Sequence, residues 1–223
     1  MSDRWWGYFE EQLNSGHWLA TAISHWQFMQ PLYGAIQASL PTGGRILNVG
    51  CGLGFSEDYF AALGYYCTGV DNESRVIELA REVASSLKVA PRFELGDAFN
   101  LSMYHGQYDL AYSTGVLEHF DRDVTIKLLQ EQARCAELVL ISIPTGLTKY
   151  TGSITDERIY PMHELKNIVK DAGLDVVRSF GFGDVSATAL HLAVKRVLPY
   201  GLYRIFQNHG YGYSIAVVGR RRG

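Results

Sequence analysis

Short apolar runs recur along the chain and are separated by longer segments whose apolar residues return at helical spacing. Runs of this kind, rich in branched side chains, are typical of strands buried in a sheet, whereas the longer segments predict amphipathic helices. The runs that predict strands are 45–49, 65–70, 92–95, 108–113, 138–143, 174–180 and 214–218. Alternation of strands and helices in this order predicts an α/β fold with a doubly wound sheet.

The same periodicity and the helix-breaking residues place the helices between these strands. Helices are predicted over 55–63, 72–87, 121–136 and 160–172. Gly64 follows the first of them, where the helix end requires a positive φ. The last two strands stand about thirty residues apart, and 185–206 is predicted as a helix that Pro199 interrupts. This insertion can complete a pocket, form a dimer contact or pack on the sheet.

The beginning of the chain is unusually aromatic. Eight aromatic residues fall within 33 positions: Trp5, Trp6, Tyr8, Phe9, Trp18, Trp26, Phe28 and Tyr33. A helical step joins four positions in this region: Leu19, Ile23, Trp26 and Gln30. One or two amphipathic helices are therefore predicted to run to about Leu40. They can close as a lid over a cofactor and substrate, or pack on the sheet edge as ordinary core.

These patterns predict two parts of the chain. Residues 1–44 are expected to form an aromatic-rich N-terminal helical cap. Residues 45–223 are expected to form the main domain, with a helical insertion at about 183–210.

The stretch from Arg45 to Asp71 carries the strongest chemical signal. A buried strand ends in three glycines at alternate positions, Gly50, Gly52 and Gly54, and a helix and a second strand follow before Asp71. Glycine removes the Cβ atoms that would hold a ligand away from the backbone, and it tolerates the φ values of a tight turn. A carboxylate at the end of the second strand can accept hydrogen bonds from both hydroxyls of a ribose. This order predicts a nucleoside-binding site.

The glycine spacing separates two classes of nucleoside cofactor. Asp71 lies 21 residues after Gly50, near the ~20 of the dinucleotide fingerprint. That fingerprint also requires a glycine where this chain has Phe55, so an NAD(P)-dependent oxidoreductase is disfavoured. The stretch instead resembles the first motif of class I S-adenosylmethionine-dependent methyltransferases, in which the loop wraps the methionine part of a cofactor that has no phosphate.

A second stretch carries the same resemblance. The segment after the fourth predicted strand contains the triplet Leu117-Glu118-His119, which is common in the small-molecule, type 11-like branch of the family. The likeness covers about residues 45–143 well and the remainder in outline. It implies a Rossmann-like seven-stranded sheet with the last strand antiparallel, helices on both faces and an N-terminal helical cap.

The resemblance also implies which residues hold the cofactor. Asp71 would bind the ribose, and Asp97 would bind the amino group of the adenine, whose ring lies flat beside the small Ala98. Asp97 can alternatively be a turn residue that supports Gly96. The expected cofactor-binding residues are Gly50, Cys51, Gly52, Gly54, Asp71, Asn72, Asp97, Ala98, Ser113 and Thr114. The expected cofactor is S-adenosylmethionine, with S-adenosylhomocysteine as its product.

His119 is the candidate catalytic residue. An imidazole can remove a proton from a hydroxyl or amine as the methyl group arrives. Alternatively, Glu118 and His119 cap and orient the following helix. Some members of the family bind a divalent metal through two glutamates three residues apart and a histidine that follows directly. Here Gly115 stands at the earlier position, so no metal site is expected.

The acceptor side is defined only in outline. In the family the region after the fifth strand shapes the acceptor pocket, which makes Tyr150, Tyr160 and His163 candidate pocket residues. The expected reaction transfers the methyl group to an O, N, C or S nucleophile of a small, partly apolar or aromatic metabolite. Positioning and desolvation can drive such a transfer without a strong base. The alternatives are a catalytically silent, cofactor-bound partner subunit and a methyltransferase that acts on a macromolecule.

Composition and charge narrow the partners. The 223 residues carry a formal net charge of −3, which gives no long-range attraction to nucleic acid. The basic run Arg220 to Arg222 is expected to be a frayed, solvated tail. No apolar stretch long enough to span a membrane and no secretory leader is predicted. Cys51, Cys67 and Cys135 are expected to stay reduced. We therefore expect a cytoplasmic monomer or homodimer that binds neither nucleic acid nor membranes.

Overall fold

The computed structural model describes residues 7, 9–10, 18–146, 158–183 and 196–222 of the chain. Within these residues seven strands form one sheet. The strands are β1 (Arg45–Val49), β2 (Tyr66–Asp71), β3 (Arg92–Leu95), β4 (Tyr108–Thr114), β5 (Ala136–Pro144), β6 (Leu174–Phe182) and β7 (Ser214–Arg221). Each of them coincides with a predicted strand, and the predicted bounds of β1 and β3 match those observed.

Helices occupy most of the connections between these strands. The helices are α1 (Trp18–Ser39), α2 (Phe55–Ala62), α3 (Ser74–Leu87), α4 (Arg122–Cys135), α5 (Met162–Asp171) and α6 (Tyr200–Phe206). Two short 3₁₀ turns, at Ser102–Tyr104 and Leu117–His119, and a π turn at Gln207–Tyr211 complete the elements. The predicted helix 72–87 begins later than expected, because the Glu73 side chain caps α3 by accepting from the Arg75 N–H (3.3 Å).

The strand order of the sheet is β3-β2-β1-β4-β5-β7-β6. β1 pairs in parallel with β2 and β4, and β2 pairs in parallel with β3. β7 is antiparallel to both β5 and β6. This arrangement confirms the predicted Rossmann-like sheet with its last strand antiparallel. The chain divides into two compact units, which we call the first unit (residues 1–113 and 131–137) and the second unit (114–130 and 138–223).

The core of the first unit forms where the parallel strands bury their apolar runs. Leu47 on β1, Val70 on β2 and Ala111 on β4 share one fully buried cluster. Close packing also explains one glycine of the loop, because a Cβ on Gly54 would lie 2.3 Å from the Phe93 ring. Packing against Phe93 of β3 therefore requires glycine at position 54.

The N-terminal helix is present, but the positions joined by the predicted helical step do not form its buried face. Leu19 and Ile23 are 47% and 43% exposed, and Gln30 is also exposed. The residues that α1 buries are Ala22, Met29, Leu32, Tyr33, Ala35 and Ile36. Residues 18–39 contain no charged side chain. Because aromatic and small residues of the helix occur on all its faces, the difference in polarity between the faces is too small to predict which face is buried.

The second unit departs from the expected C-terminal tail. Arg220 and Arg221 belong to β7, where Arg220 pairs with Asp175 on β6, so the prediction of a frayed tail is wrong for these two residues. The guanidinium of Arg222 donates to the Asp175 carboxylate (2.9 Å). Strand pairing extends beyond the apolar run because main-chain hydrogen bonds require no apolar side chain.

The insertion between β6 and β7 is partly described. Pro199 immediately precedes α6, as the predicted interruption required, whereas residues 184–195 lie outside the described residues. The π turn after α6 packs directly on β6, since a Cβ on Gly181 would lie 1.8 Å from the Gln207 carbonyl oxygen. Thr145, just after β5, donates from its hydroxyl to the Gly212 carbonyl (2.7 Å). The insertion is thus anchored at the carboxyl ends of β5 and β6.

Candidate functional site

The glycine loop between β1 and α2 has the backbone geometry that its sequence predicts. Gly50, Gly52 and Gly54 have φ values of 79°, 53° and 75°, a region that residues with a Cβ rarely occupy. The N–H groups of Gly50 and Cys51 donate to the Val70 carbonyl at 2.8 and 3.1 Å, which fixes the loop to the end of β2. The result is a rigid turn without side chains at three of its five positions.

Asp71 joins the end of β2 to the middle of this loop. Its Oδ2 accepts from the Gly52 N–H (3.1 Å), and its Oδ1 accepts from the Glu73 N–H (3.2 Å). Burial raises the pKa of Asp71. Backbone hydrogen bonds from Gly52, Glu73 and Asn72 oppose that rise. Each carboxylate oxygen keeps a second lone pair that can accept from a ligand hydroxyl. The structure therefore brings together the glycine and the acid that the sequence predicts to share a nucleoside.

Asp97 lies on the same edge of the first unit, after β3. The N–H of Gly96 donates to the Asp71 carbonyl (2.9 Å), which ties the two strand ends together. Asp97 is exposed, and its Oδ1 accepts from the Phe99 N–H (2.9 Å), so it forms a turn of the Asx type. The turn interpretation is therefore seen in the structure, while the contact with adenine stays a prediction.

Other residues predicted to contact the cofactor differ in their exposure. Asn72 is exposed beside Asp71, and Ala98 is half-buried. Ser113 is buried, and its Oγ accepts from the Gln132 side chain (3.2 Å), so this hydroxyl already has a partner inside the first unit. Thr114, the last residue of β4, is half-buried and belongs to the second unit.

The N-terminal region covers the loop and the start of α2. The Trp26 indole N–H donates to the Phe55 carbonyl (2.6 Å), and the Tyr33 hydroxyl lies 2.8 Å from Ser56 Oγ. A Cβ on Gly52 would lie 2.9 Å from the ring of Phe9. One face of α1 is therefore core, while closure of this region over a cofactor and substrate stays a prediction.

A buried acidic pair in the first turn of α2 was not predicted. Glu57 and Asp58 are each 1% exposed. Glu57 Oε1 accepts from the Tyr112 hydroxyl (2.7 Å). Burial raises the pKa of Glu57 to about 7, and burial together with the charge of Glu57 raises the pKa of Asp58 to about 8. Acidic side chains in a first helical turn ordinarily face water, where they interact favourably with the helix dipole. Their burial could therefore not be predicted from the sequence.

The candidate catalytic turn lies in the second unit. His119 is half-buried at the end of the 3₁₀ turn that follows β4. Arg158 binds this turn twice, donating from its N–H to the Glu118 carbonyl (2.7 Å) and from its guanidinium to the His119 carbonyl (3.2 Å). The cap of α4 is Asp121, whose Oδ1 accepts from the Val124 N–H (2.9 Å). The capping role considered for Glu118 and His119 is therefore filled by another residue.

The three predicted acceptor-pocket residues lie in different surroundings. Tyr160 is buried, and its hydroxyl lies 3.5 Å from the Phe120 carbonyl that accepts from it. His163 is exposed in the first turn of α5. Tyr150 lies outside the described residues. The role of all three in acceptor binding stays a prediction.

The described part of the chain contains neither a cluster of metal ligands nor a membrane-spanning helix. Among those residues no group of three or more His, Cys, Asp or Glu side chains could hold a metal ion. Gly115 has a φ of 70°, so a glutamate ligand at this position would require a strained backbone. None of the described helices has the length and apolarity needed to cross a bilayer. The three cysteines are free, as predicted.

The central region of the chain is similar to known methyltransferases. Residues 46–137 match the family model described as a methyltransferase domain. Phosphoethanolamine N-methyltransferase 1 of Arabidopsis thaliana is 26% identical over 149 residues, which cover 62% of this chain and 30% of that protein. The enzyme of the same name from Zea mays is 26% identical over 148 residues, with the same coverage of each chain. The chain thus spans less than a third of the length of these curated relatives.

Solved structures agree on the fold. Magnesium protoporphyrin IX methyltransferase from Synechocystis PCC 6803, with bound SAH, superposes with a TM-score of 0.66 at 17% identity and covers 90% of this chain and 84% of its own. A putative methyltransferase in complex with the Trm112 activator of Haloferax volcanii has a TM-score of 0.68 at 16% identity. The match covers 96% of this chain and 98% of that chain. At these identities the likeness establishes the shared fold.

Proposed function

We propose that this chain is a class I S-adenosylmethionine-dependent methyltransferase that transfers the cofactor's methyl group to a small, partly apolar or aromatic metabolite. The observation that carries the proposal is the glycine loop joined to Asp71 by the Gly52 hydrogen bond (3.1 Å). This arrangement fits a nucleoside whose remaining part carries no phosphate, because the loop offers open backbone without the glycine at position 55 that a pyrophosphate site requires.

Each part of the cofactor has candidate residues in the first unit. The loop from Gly50 to Gly54 would hold the methionine part, and the two Asp71 oxygens would accept from the ribose hydroxyls. Asp97 and Ala98 would bind the adenine, and Gly96 links them to Asp71 through its main-chain hydrogen bond. When bound, S-adenosylmethionine supplies a methyl group that its sulfonium makes electrophilic.

The residues of the chain would orient and desolvate the acceptor. The cofactor, held by the glycine loop and Asp71, would supply its methyl group to a nucleophilic O, N, C or S atom of the acceptor, with S-adenosylhomocysteine as the product. The proton of the acceptor passes to His119 or to solvent. Arg158 holds the His119 turn by two main-chain contacts, so the imidazole can be presented in a fixed place.

Several observations support a small acceptor. The net charge of −3 offers no attraction to nucleic acid. The curated relatives are named for a small acceptor, phosphoethanolamine. In the second unit α6 exposes three apolar side chains, Tyr200, Leu202 and Ile205. This helix belongs to the insertion that is anchored at the carboxyl ends of β5 and β6. Ligands in open α/β sheets bind outside the carboxyl ends of the strands, so an apolar acceptor is favoured there.

A second candidate function is a cofactor-bound partner that activates or is activated by another subunit. It is favoured by the fold neighbour solved in complex with an activator. In that case purified protein would bind S-adenosylmethionine but show no transfer until the partner is added.

The test measures turnover with a panel of acceptors. Purified protein and labelled S-adenosylmethionine are incubated with phosphoethanolamine, flat aromatic acids and phenols, and bulk transfer RNA, and S-adenosylhomocysteine is quantified. We expect turnover on a small molecule and none on RNA. Turnover on RNA alone would contradict the acceptor class. Failure of every acceptor, with intact cofactor binding and restored turnover in cell extract, would favour the partner function.

A further inference from the structure

Two buried carboxyl groups lie next to the glycine loop and have no role in the proposed transfer. Glu57 and Asp58 stand in the first turn of α2, and the Asp58 N–H donates to the Gly54 carbonyl (3.0 Å). The Glu57 side chain bonds to the Tyr112 hydroxyl of β4 and to the Asn48 amide of β1. The pair is therefore held against the strand that leads into the loop.

This cluster contains more acceptors than donors. The Oε2 of Glu57, both Oδ atoms of Asp58 and the Oδ1 of Asn48 are buried without a hydrogen-bond partner among the described residues. Their three residues are each at least nine-tenths buried. An unpaired buried acceptor costs about 1–3 kcal/mol. Several of them directed into one cluster indicate a site that favours positive charge nearby.

Among the described residues, none of the groups around the pair supplies that charge at neutral pH. Burial lowers the pKa of His25 to about 4, so its imidazole is neutral. Burial also raises the pKa of the phenols and thiols around the pair, which are Tyr33 on α1, Cys51 in the loop, Cys67 on β2 and Tyr112 on β4. Asp71, whose charge acts with the pair on the Cys51 thiol, is another acid.

We infer that Glu57 and Asp58 form a charge sensor that ionises when S-adenosylmethionine occupies the loop and regains its proton when S-adenosylhomocysteine replaces it. This inference rests on the proposed function. The cofactor carries a sulfonium charge that the transfer removes, while the rest of the molecule keeps its charges. On binding, a proton leaves the carboxyl pair for solvent; after transfer, with no oxidation or reduction, the pair takes up a proton again.

The consequence is selectivity for substrate over product. Because proton release accompanies binding, the affinity for S-adenosylmethionine should rise by up to about tenfold per pH unit for one linked proton. The window lies near neutrality, since the pKa values of the pair are raised by burial to about 7 and about 8. The affinity for S-adenosylhomocysteine should change little over the same range. The ratio of product affinity to substrate affinity should therefore be lower at pH 8 than at pH 6.

Calorimetry in two buffers of different ionisation enthalpy tests the inference. Wild type is titrated at pH 7 with S-adenosylmethionine and separately with S-adenosylhomocysteine, and the dependence of the heat on the buffer counts protons. We expect roughly half a proton or more released for the first ligand and near zero for the second. The isosteric double variant Glu57→Gln/Asp58→Asn should lose the release. The control Glu78→Gln, an exposed carboxylate on α3, should keep it.

The outcomes separate the two proposals. If neither ligand binds wild type, the proposed function fails and the sensor with it. If both bind with equal proton release, or if release persists in the folded double variant, the sensor is overturned while the proposed function stands. Should the double variant fail to fold by circular dichroism, the single variants Glu57→Gln and Asp58→Asn carry the same comparison, each with a reduced release expected.

Discussion

The two compact units build their candidate sites in different ways. In the first unit the glycine loop and Asp71 are joined by hydrogen bonds within one strand–helix–strand segment. In the second unit the site depends on contacts between residues far apart in sequence, such as Arg158 with His119 and Thr145 with Gly212. Under the proposed function, cofactor recognition would depend on local backbone geometry, whereas acceptor recognition would depend on long connections that a single sequence describes poorly.

The largest effect is expected at His119, which tests whether the second unit supplies chemistry or only shape. If the imidazole is the general base, His119→Ala should lower the single-turnover transfer rate by ~10²–10⁴ with cofactor affinity nearly unchanged. Rapid-quench measurement of transfer at saturating cofactor provides the check.

His105 is the control, since it is an exposed histidine of the first unit with no role in the proposed transfer. His105→Ala should leave the rate unchanged. If His119→Ala transfers at the wild-type rate, the residue is structural and positioning remains the main source of catalysis.

Gly181 tests how firmly the insertion is anchored in the second unit. A Cβ at this position would lie 1.8 Å from the Gln207 carbonyl oxygen, so the π turn must move away from β6. Gly181→Ala should lower the free energy of unfolding by about 2–4 kcal/mol. Gly201→Ala is the control, because a Cβ there meets nothing within 4 Å and alanine favours the helix. Equal stability of both variants in urea would mean that the turn is not packed against the strand.

The buried acids give the first unit a distinctive pH dependence. Their pKa values are raised to about 7 and about 8, above the ~4 of unfolded acids, so the native state binds more protons than the unfolded state. Stability should therefore fall as pH rises from about 4.5 to about 8, by roughly 2 kcal/mol or more. Urea unfolding at pH 5 and pH 8 measures the change. Glu57→Gln/Asp58→Asn should flatten it, and a slope preserved in that variant would assign it to other groups.

Within the first unit, the sequence predicts local backbone geometry but not the packing of distant segments. The φ values of Gly50, Gly52 and Gly54 could be predicted because the glycine spacing itself prescribes a turn. The buried face of α1 could not, because a helix without charged residues shows no polar side. Burial of Glu57 and Asp58 was equally hidden, since it is created by Asn48 and Tyr112, which approach them only in the folded sheet.

A smaller effect is expected at Trp26, which links α1 to the start of α2. Trp26→Phe keeps an aromatic ring but removes the indole N–H that donates to the Phe55 carbonyl (2.6 Å). The free energy of unfolding should fall by about 1 kcal/mol. Trp18 packs in the same apolar cluster, and Trp18→Phe is the control in which a smaller loss is expected. If both substitutions have the same effect, the ring rather than the hydrogen bond attaches the helix.

The central claim is that the first unit binds S-adenosylmethionine with Asp71 on its ribose. Isothermal titration of wild type and Asp71→Ala with S-adenosylmethionine, and of wild type with NAD, tests it most directly. We predict that wild type binds S-adenosylmethionine in preference to NAD, and that Asp71→Ala weakens the binding by roughly 1.5–3 kcal/mol. Equal affinity of the two proteins would remove Asp71 from the site, and a preference for NAD would contradict the account as a whole.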